Sequence, residues 1–323
     1  MISKVALRVF HSLLLLLGVS VFAFALLSFA PGNFFDELKM NPQISPETVA
    51  SLKVQYGLDQ PLPVRYVRWA ASVAHGEFGY SMSYRRPVAS LLWWRARNTL
   101  LLATLAMLLA WTIALCWGVL QALHRGGWID HSSRALTAVL LAMPELLIGL
   151  LLLLLAVRTG WFPTGGMTSI NPMNTGFSTK LWDITIHLFL PVVALALGAI
   201  PVLVRHVRSA MIAVLESPFI EAARGHGIPR WRLIWRHALP AASNSLISLL
   251  GFSIGALGSL SLLTEIVLSW PGLGPLVLEG VLARDIHVVM ATVMLSSLFL
   301  LVGNLFADLL LYWADPRIRA VGP

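Results

Sequence analysis

The side chains whose types and spacing could do chemistry begin with Gly251, Ser253 and Gly255, which satisfy G-x-S-x-G, the pattern that presents a serine nucleophile on a strand-turn-helix elbow. The pentapeptide lies inside an apolar run, however, where the same letters satisfy G-x-x-x-G, the spacing that lets membrane helices approach closely. With Gly258, Ser259 and Ser261 it gives one helix a face of small residues, suited to a partner helix or to the wall of a path. An intramembrane serine protease would also need a histidine at membrane depth near Ser253, and the last apolar run, 288–307, holds none. The nine histidines include no H-E-x-x-H pair and no i, i+4 pair within an apolar run, so no metal centre is expected. None of Lys4, Lys39, Lys53 and Lys180 follows a glycine; there is no G-K-[ST] phosphate loop, and any energy drawn from a nucleotide must enter through another chain. Glu145, directly after Pro144 within an apolar run, is the costliest residue to place in lipid and should face a cavity or a partner. A substrate-facing carboxylate and a buried structural hydrogen-bonder both suit it. Glu145, Ser253, Ser259 and Glu265 are the candidates for a translocation path, although Glu265, like Asp308, falls at the end of a run where an interfacial place is also expected.

The elements that must position these residues follow from how apolarity is distributed. The chain is 57% hydrophobic and 12% charged, and the apolar residues come in blocks rather than stripes, which means bilayer. Six blocks, 9–30, 99–123, 135–157, 184–204, 246–264 and 288–307, each have about the 20 residues that cross ~30 Å of hydrocarbon. The first follows Lys4 and Arg8 and precedes Ser28-Phe29-Ala30, but Pro31 argues against cleavage there, so it reads as a retained anchor. With the N-terminus inside, the cytoplasmic side holds twelve basic residues: Lys4, Arg8, Arg125, Arg134, Arg205, Arg208, Arg224, Arg230, Arg232, Arg236, Arg317 and Arg319. The short outer loops hold three, Arg158, Lys180 and Arg284. That asymmetry places both termini in the cytoplasm. It also accounts for much of the net charge of +8, which needs no nucleic-acid partner. The single cysteine, Cys116, lies within a span, so neither an internal disulfide nor a cysteine zinc cluster is available.

The resulting organisation is an anchor at 1–30, an extracytoplasmic segment at 31–97, a transmembrane domain at 98–312 with a cytoplasmic loop at 205–245, and a tail at 313–323. In the outer segment Ser45-Pro46 opens one helix that Gly57 can end, and 61–74 supports another before His75-Gly76. Tyr56, Leu58, Tyr66, Trp69 and Phe78 are too apolar for a disordered spacer and should pack on the outer face. Pro144, Pro191 and Pro201 imply kinks. In the cytoplasmic loop, Ser217 can cap a helix that Pro218 begins, and Gly225 or Gly227 can end it in a left-handed conformation. This helix of about two or three turns carries Ala222 and Ala223, small enough for another protein to approach the backbone, with Glu221 as an anchoring charge. After Pro229 a second helix places Trp231, Ile234, Trp235 and Ala238 on one face and Arg232 and Arg236 on another, a pattern suited to a membrane surface or to packing on the bundle.

The stretch from Glu221 to Pro240 resembles the E-A-A-x3-G motif with its later L-P in permease subunits of binding-protein-dependent ABC importers: Glu221, Ala222, Ala223, Gly227, Leu239 and Pro240 match, with Arg224 inside the motif. Arg236-His237-Ala238-Leu239, with His237 where the general pattern has isoleucine, is similar to the dipeptide, oligopeptide and nickel branch. Three further stretches look like that branch: Tyr56 to Tyr66, His75 to Ser81 and Ser269 to Gly274. The resemblance implies an all-α integral membrane protein of type I, MetI-like architecture, with six transmembrane helices and a small outer cap, in the cytoplasmic membrane of a bacterium. It also implies that residues 221–227, 239 and 240 couple to an ATPase and that the chain, itself no enzyme, forms half of a path for di- or oligopeptides, or for nickel or another small solute. Its partners would be a second homologous permease, two ABC ATPases that bind ATP and magnesium, and an external solute-binding protein. At Glu145 such permeases look apolar or aromatic, so no family role is carried over to it. A passive channel, the remaining alternative, would have no use for an ATPase-docking helix.

Overall fold

In hydrocarbon every backbone N–H and C=O must be satisfied within its own segment, so block-wise apolar sequence folds as helices. The structure, a computed structural model, describes residues 2–29, 45, 47, 51, 59–169 and 176–314, the side chains at 2–5, 255–260, 311, 313 and 314 excepted. In chain order the described elements are α1 (Ile2–Phe29), α2 (Leu62–Ala74), β1 (Tyr80–Ser81), β2 (Arg86–Pro87), α3 (Val88–Leu123), α4 (Trp128–Ala142), α5 (Glu145–Thr159) and α6 (Phe177–Leu215). They continue with α7 (Pro218–Gly225), α8 (Arg230–Arg232), a π-helical stretch Leu233–Ala238, α9 (Leu239–Leu260), α10 (Leu262–Val267), α11 (Leu273–Leu282) and α12 (Ile286–Ala314). They form two compact units, Met1–Thr99 with Pro271–Leu298, and Leu100–Trp270 with Phe299–Pro323.

In the first unit the expected helix at 61–74 forms as α2, with Pro61 at its N-terminal boundary. Trp69 packs with Phe24 of α1 and Met290 of α12, and Tyr66 is hydrogen-bonded to Ser20 at 2.8 Å. The expected helix opened by Ser45-Pro46, with Tyr56 and Leu58, falls mostly outside the described residues. Two buried polar pins hold the rest. Asp285 accepts from the Ser81 hydroxyl at 2.7 Å and the Ser83 N–H at 3.2 Å, fixing the antiparallel β1–β2 hairpin. Asn98 donates to the Pro271 carbonyl at 2.8 Å, and the Thr99 hydroxyl accepts from the Leu273 N–H at 2.8 Å, which holds the start of α11.

In the second unit α6 is the central element, 39 residues long, or roughly 58 Å at 1.5 Å per residue. It continues through Pro191 and Pro201, both buried, and packs against α4, α5 and α9. Pro144 acts more strongly than a kink: the helix stops at Ala142, restarts at Glu145, and the two pieces are bent by 97°. Proline has no N–H to donate and disfavours helical backbone at the residue before it, so Met143 is extended and α5 begins afresh.

Among the described residues four helices are long and apolar enough to cross a membrane, Ala6–Phe29, Val88–Leu123, Phe177–Leu215 and Ile286–Leu310, and a fifth exists if the bent pair α4–α5 is one span. The remaining expected span, 246–264, is divided near Ser261 between α9 and α10. Within it Gly251 is a close-packing residue: a Cβ there would overlap the Ala307 methyl and lie 2.8 Å from the Ala307 Cα. The small-residue face thus meets a helix at Gly251, as G-x-x-x-G packing requires.

Candidate functional site

The part of the second unit around the expected cytoplasmic loop is built from α7 upward. Ile220, fully buried, plugs this 8-residue helix into a cluster with Val207 and Met211 of α6 and with Leu233 and Ile234. Ala223 is half-buried, which turns Phe219, Glu221, Ala222 and Arg224 outward. The Ser217 side chain does not cap the helix as expected; its hydroxyl donates back to the Val214 carbonyl, and its own carbonyl accepts from Ile220 and Glu221. Gly227, at φ +75°, is the left-handed terminator, whereas Gly225 remains helical. The loop is tied to the membrane helices by an Arg125–Glu216 ion pair and by Arg230, which donates to the Leu123 carbonyl at 3.2 Å. A cleft of about 460 Å³ opens beside it, flanked by Arg125, Glu216, Arg224 and Arg230. These contacts link the loop that carries α7 to the ends of both α3 and α6.

The second cytoplasmic helix departs from its expected faces. Leu233, Ile234 and Ala238 are buried on the bundle, while Trp231 and Trp235 are largely exposed. The π-helical turns shift the register, so the predicted stripe of Trp231, Ile234, Trp235 and Ala238 splits into a packed side and an aromatic outer side. Leu239 is half-buried, and exposed Pro240 follows directly on the π-helical stretch, near the start of α9.

The sequence reading missed a buried, bidentate ion pair in this unit. Asp130, 1% exposed, is gripped by Arg208 in a bidentate pair, Nε to Oδ1 at 2.7 Å and Nη2 to Oδ2 at 2.9 Å, and also accepts from the Gly126 N–H at 3.1 Å. This joins the start of α4 to the C-terminal part of α6. A lone acid among Arg125, His131 and Arg134 was the available signal; its partner 78 residues away was not.

Nearer the middle of the unit lies a cavity of about 480 Å³, walled mainly by apolar side chains of α3, α4, α6 and α9. Two of the four path candidates line it, Glu145 and Ser253, joined by His206. Glu145 is in the first turn of α5, and its Oε1 accepts from the Thr264 hydroxyl at 2.7 Å. The Ser253 hydroxyl donates to the Leu249 carbonyl at 2.8 Å. Glu265 is fully buried and is not part of this lining; the Ser259 side chain lies outside the described residues. Among the described residues no group of three or more metal-ligating side chains occurs.

The geometry is that of a helical membrane bundle with a short exposed helix, α7, and a largely apolar cavity. The chain matches the model of the binding-protein-dependent transport system inner membrane component over residues 114–320, and that of the N-terminal part of such components over residues 1–103. It is 35% identical over 314 residues to the oligopeptide transport system permease protein AppB of Bacillus subtilis, covering 97% of this chain and 98% of that one. It is also 35% identical over 323 residues to the dipeptide transport system permease protein DppB of Escherichia coli K12, covering 94% of each. In fold it is similar to a chain of the MetNI methionine ABC transporter in an inward-facing conformation, with TM-score 0.56 and 20% identity over 70% of this chain and 96% of that one. The chain belongs to the binding-protein-dependent transport inner-membrane family and is a multi-pass inner-membrane permease subunit of an ABC importer.

Proposed function

We propose that the chain forms half of the path of an ATP-driven importer of di- or oligopeptides. The observation that carries the substrate is near full-length similarity to permeases named for oligopeptide and dipeptide transport. The exposed turn of Glu221, Ala222 and Arg224, plugged by Ile220, supports the mode of driving: a cleft in a separate ATPase takes α7, and nucleotide-driven closure of two such ATPases tilts the helices to which α7 is tied. ATP and magnesium reside in those ATPases. A second, homologous permease completes the path, a solute-binding protein delivers peptide from outside, and both termini lie in the cytoplasm, as the distribution of Lys and Arg requires.

The test is reconstitution of the chain with a second permease, ATPases and binding protein in vesicles, with ATP hydrolysis followed as peptide is added outside. Peptide should stimulate hydrolysis and be taken up. Glu221→Lys should leave membrane insertion intact, because the side chain is exposed, yet reduce co-purification of the ATPases and abolish uptake. Undiminished uptake by that variant would remove α7 from the mechanism.

A further inference from the structure

Glu145 is an acid for which the described residues of its own unit supply no ion-pair partner. It lines an apolar cavity of about 480 Å³, and among the described residues its carboxyl group has one hydrogen-bond donor, the Thr264 hydroxyl at 2.7 Å on Oε1. Among the described residues no lysine, arginine or histidine forms an ion pair with it. The nearest basic side chain in the cavity wall, His206, has its Nδ1 engaged at 2.8 Å by the Val202 carbonyl of its own helix. A carboxylate at membrane depth costs several kcal/mol unless it is paired, so a residue of this kind marks a functional position by default. It stands in the first turn of α5, which is restarted by the 97° break at Pro144.

We propose that Glu145 is a substrate-contacting residue of the path, its free oxygen receiving the α-ammonium group of a peptide passing through the cavity. The assignment rests on the peptide-import reading, since every unmodified peptide carries that cation. Thr264 occupies one oxygen and leaves the other to the visitor, so the contact is a single charge-assisted hydrogen bond set in an otherwise apolar wall. A translocation site needs that economy: it must compensate desolvation of the ammonium while holding the solute weakly enough to release it. The apolar wall, including Met107, Leu140 and Phe252, accepts side chains of varied shape without selecting among them. Selectivity inside the membrane is then for the peptide terminus, the part all peptides share.

The experiment uses the complete transporter in vesicles with saturating binding protein and radiolabelled tri-alanine. Glu145→Gln keeps the shape and an acceptor for Thr264 but removes the charge; uptake should fall about tenfold, the scale of one charge-assisted hydrogen bond, while Glu145→Asp should retain most of it. A second arm omits the binding protein. Tri-alanine with a photoreactive group near its amino end should label the cavity wall of the wild-type complex, and the same probe acetylated on nitrogen should not. Wild-type uptake by Glu145→Gln, or equal labelling by both probes, overturns the assignment and leaves peptide import standing. Loss of the second permease when the Glu145→Gln complex is purified overturns it as well, by making Glu145 a pairing group between subunits. A wild-type complex that moves no tri-alanine removes the peptide-import reading, and the assignment with it.

Discussion

Asp130 and Glu145 are 15 residues apart in sequence, one in the first turn of α4 and one in the first turn of α5, yet the second unit treats them oppositely. Asp130 is 1% exposed and receives two hydrogen bonds from Arg208 and one from a backbone N–H. Glu145 is half-buried and receives one, from a neutral hydroxyl. A buried charge saturated by its own chain fixes geometry: the Asp130–Arg208 pair clamps the start of α4 to the end of α6, next to the loop from which α7 is hung. A charge left with a free oxygen in a cavity cannot be explained as a clamp, because a hydrophobic side chain would fill that place at less cost. On the proposed reading, the two acids separate the part of the unit that holds α7 in place from the part left open to a solute.

The largest effect follows from breaking the saturated pair. Arg208→Ala would leave the Asp130 carboxylate buried against one N–H, with Arg134 Nε at 3.7 Å the nearest remaining cation. Loss of one partner of a buried pair costs about 3 kcal/mol or more. The purified variant should lose monodispersity in detergent on heating at a clearly lower temperature than the wild type. Asp130→Ala combined with Arg208→Ala should recover part of that loss, since neither charge then remains stranded, and the non-additivity measures the pair directly. A double-variant loss equal to the sum of the two single-variant losses would mean that the two side chains act independently, and would dissolve the contrast with Glu145.

How far this division could be read from sequence depended on the range of the interaction. Apolar blocks showed the membrane helices because burial in lipid is a local property of each stretch. The turn at 218–227 was legible because Pro218 and Gly227 act within one turn of themselves, and Glu145 stood out because a carboxylate amid leucines is anomalous wherever its chain neighbours go. Pro144 was legible as a disturbance, but the 97° bend depends on packing of both pieces against α6. Asp130 was legible only as a lone acid among basic neighbours, because its partner is 78 residues distant and resembled the eleven other basic residues expected on the same side. The faces of the helix after Pro229 were misassigned because a 3.6-residue period was applied across a π-helical stretch, and Glu265 was placed at an interface because α10 turns it inward after the break near Ser261.

A smaller perturbation sharpens the comparison from the Glu145 side. Thr264→Val keeps the buried volume near constant and removes the only donor to the Glu145 carboxylate among the described residues. The hydrogen bond to a charged acceptor is worth about 1.5 kcal/mol, so the heating midpoint should fall by a few degrees, less than for Arg208→Ala. Peptide uptake should fall severalfold, because the carboxylate is no longer held toward the cavity and both its oxygens compete for the ammonium group. If Thr264 serves only to neutralise a structural acid, the same substitution would lower stability and leave uptake per folded complex unchanged. Measuring both quantities on one preparation therefore decides whether the hydroxyl aims the carboxylate or merely satisfies it.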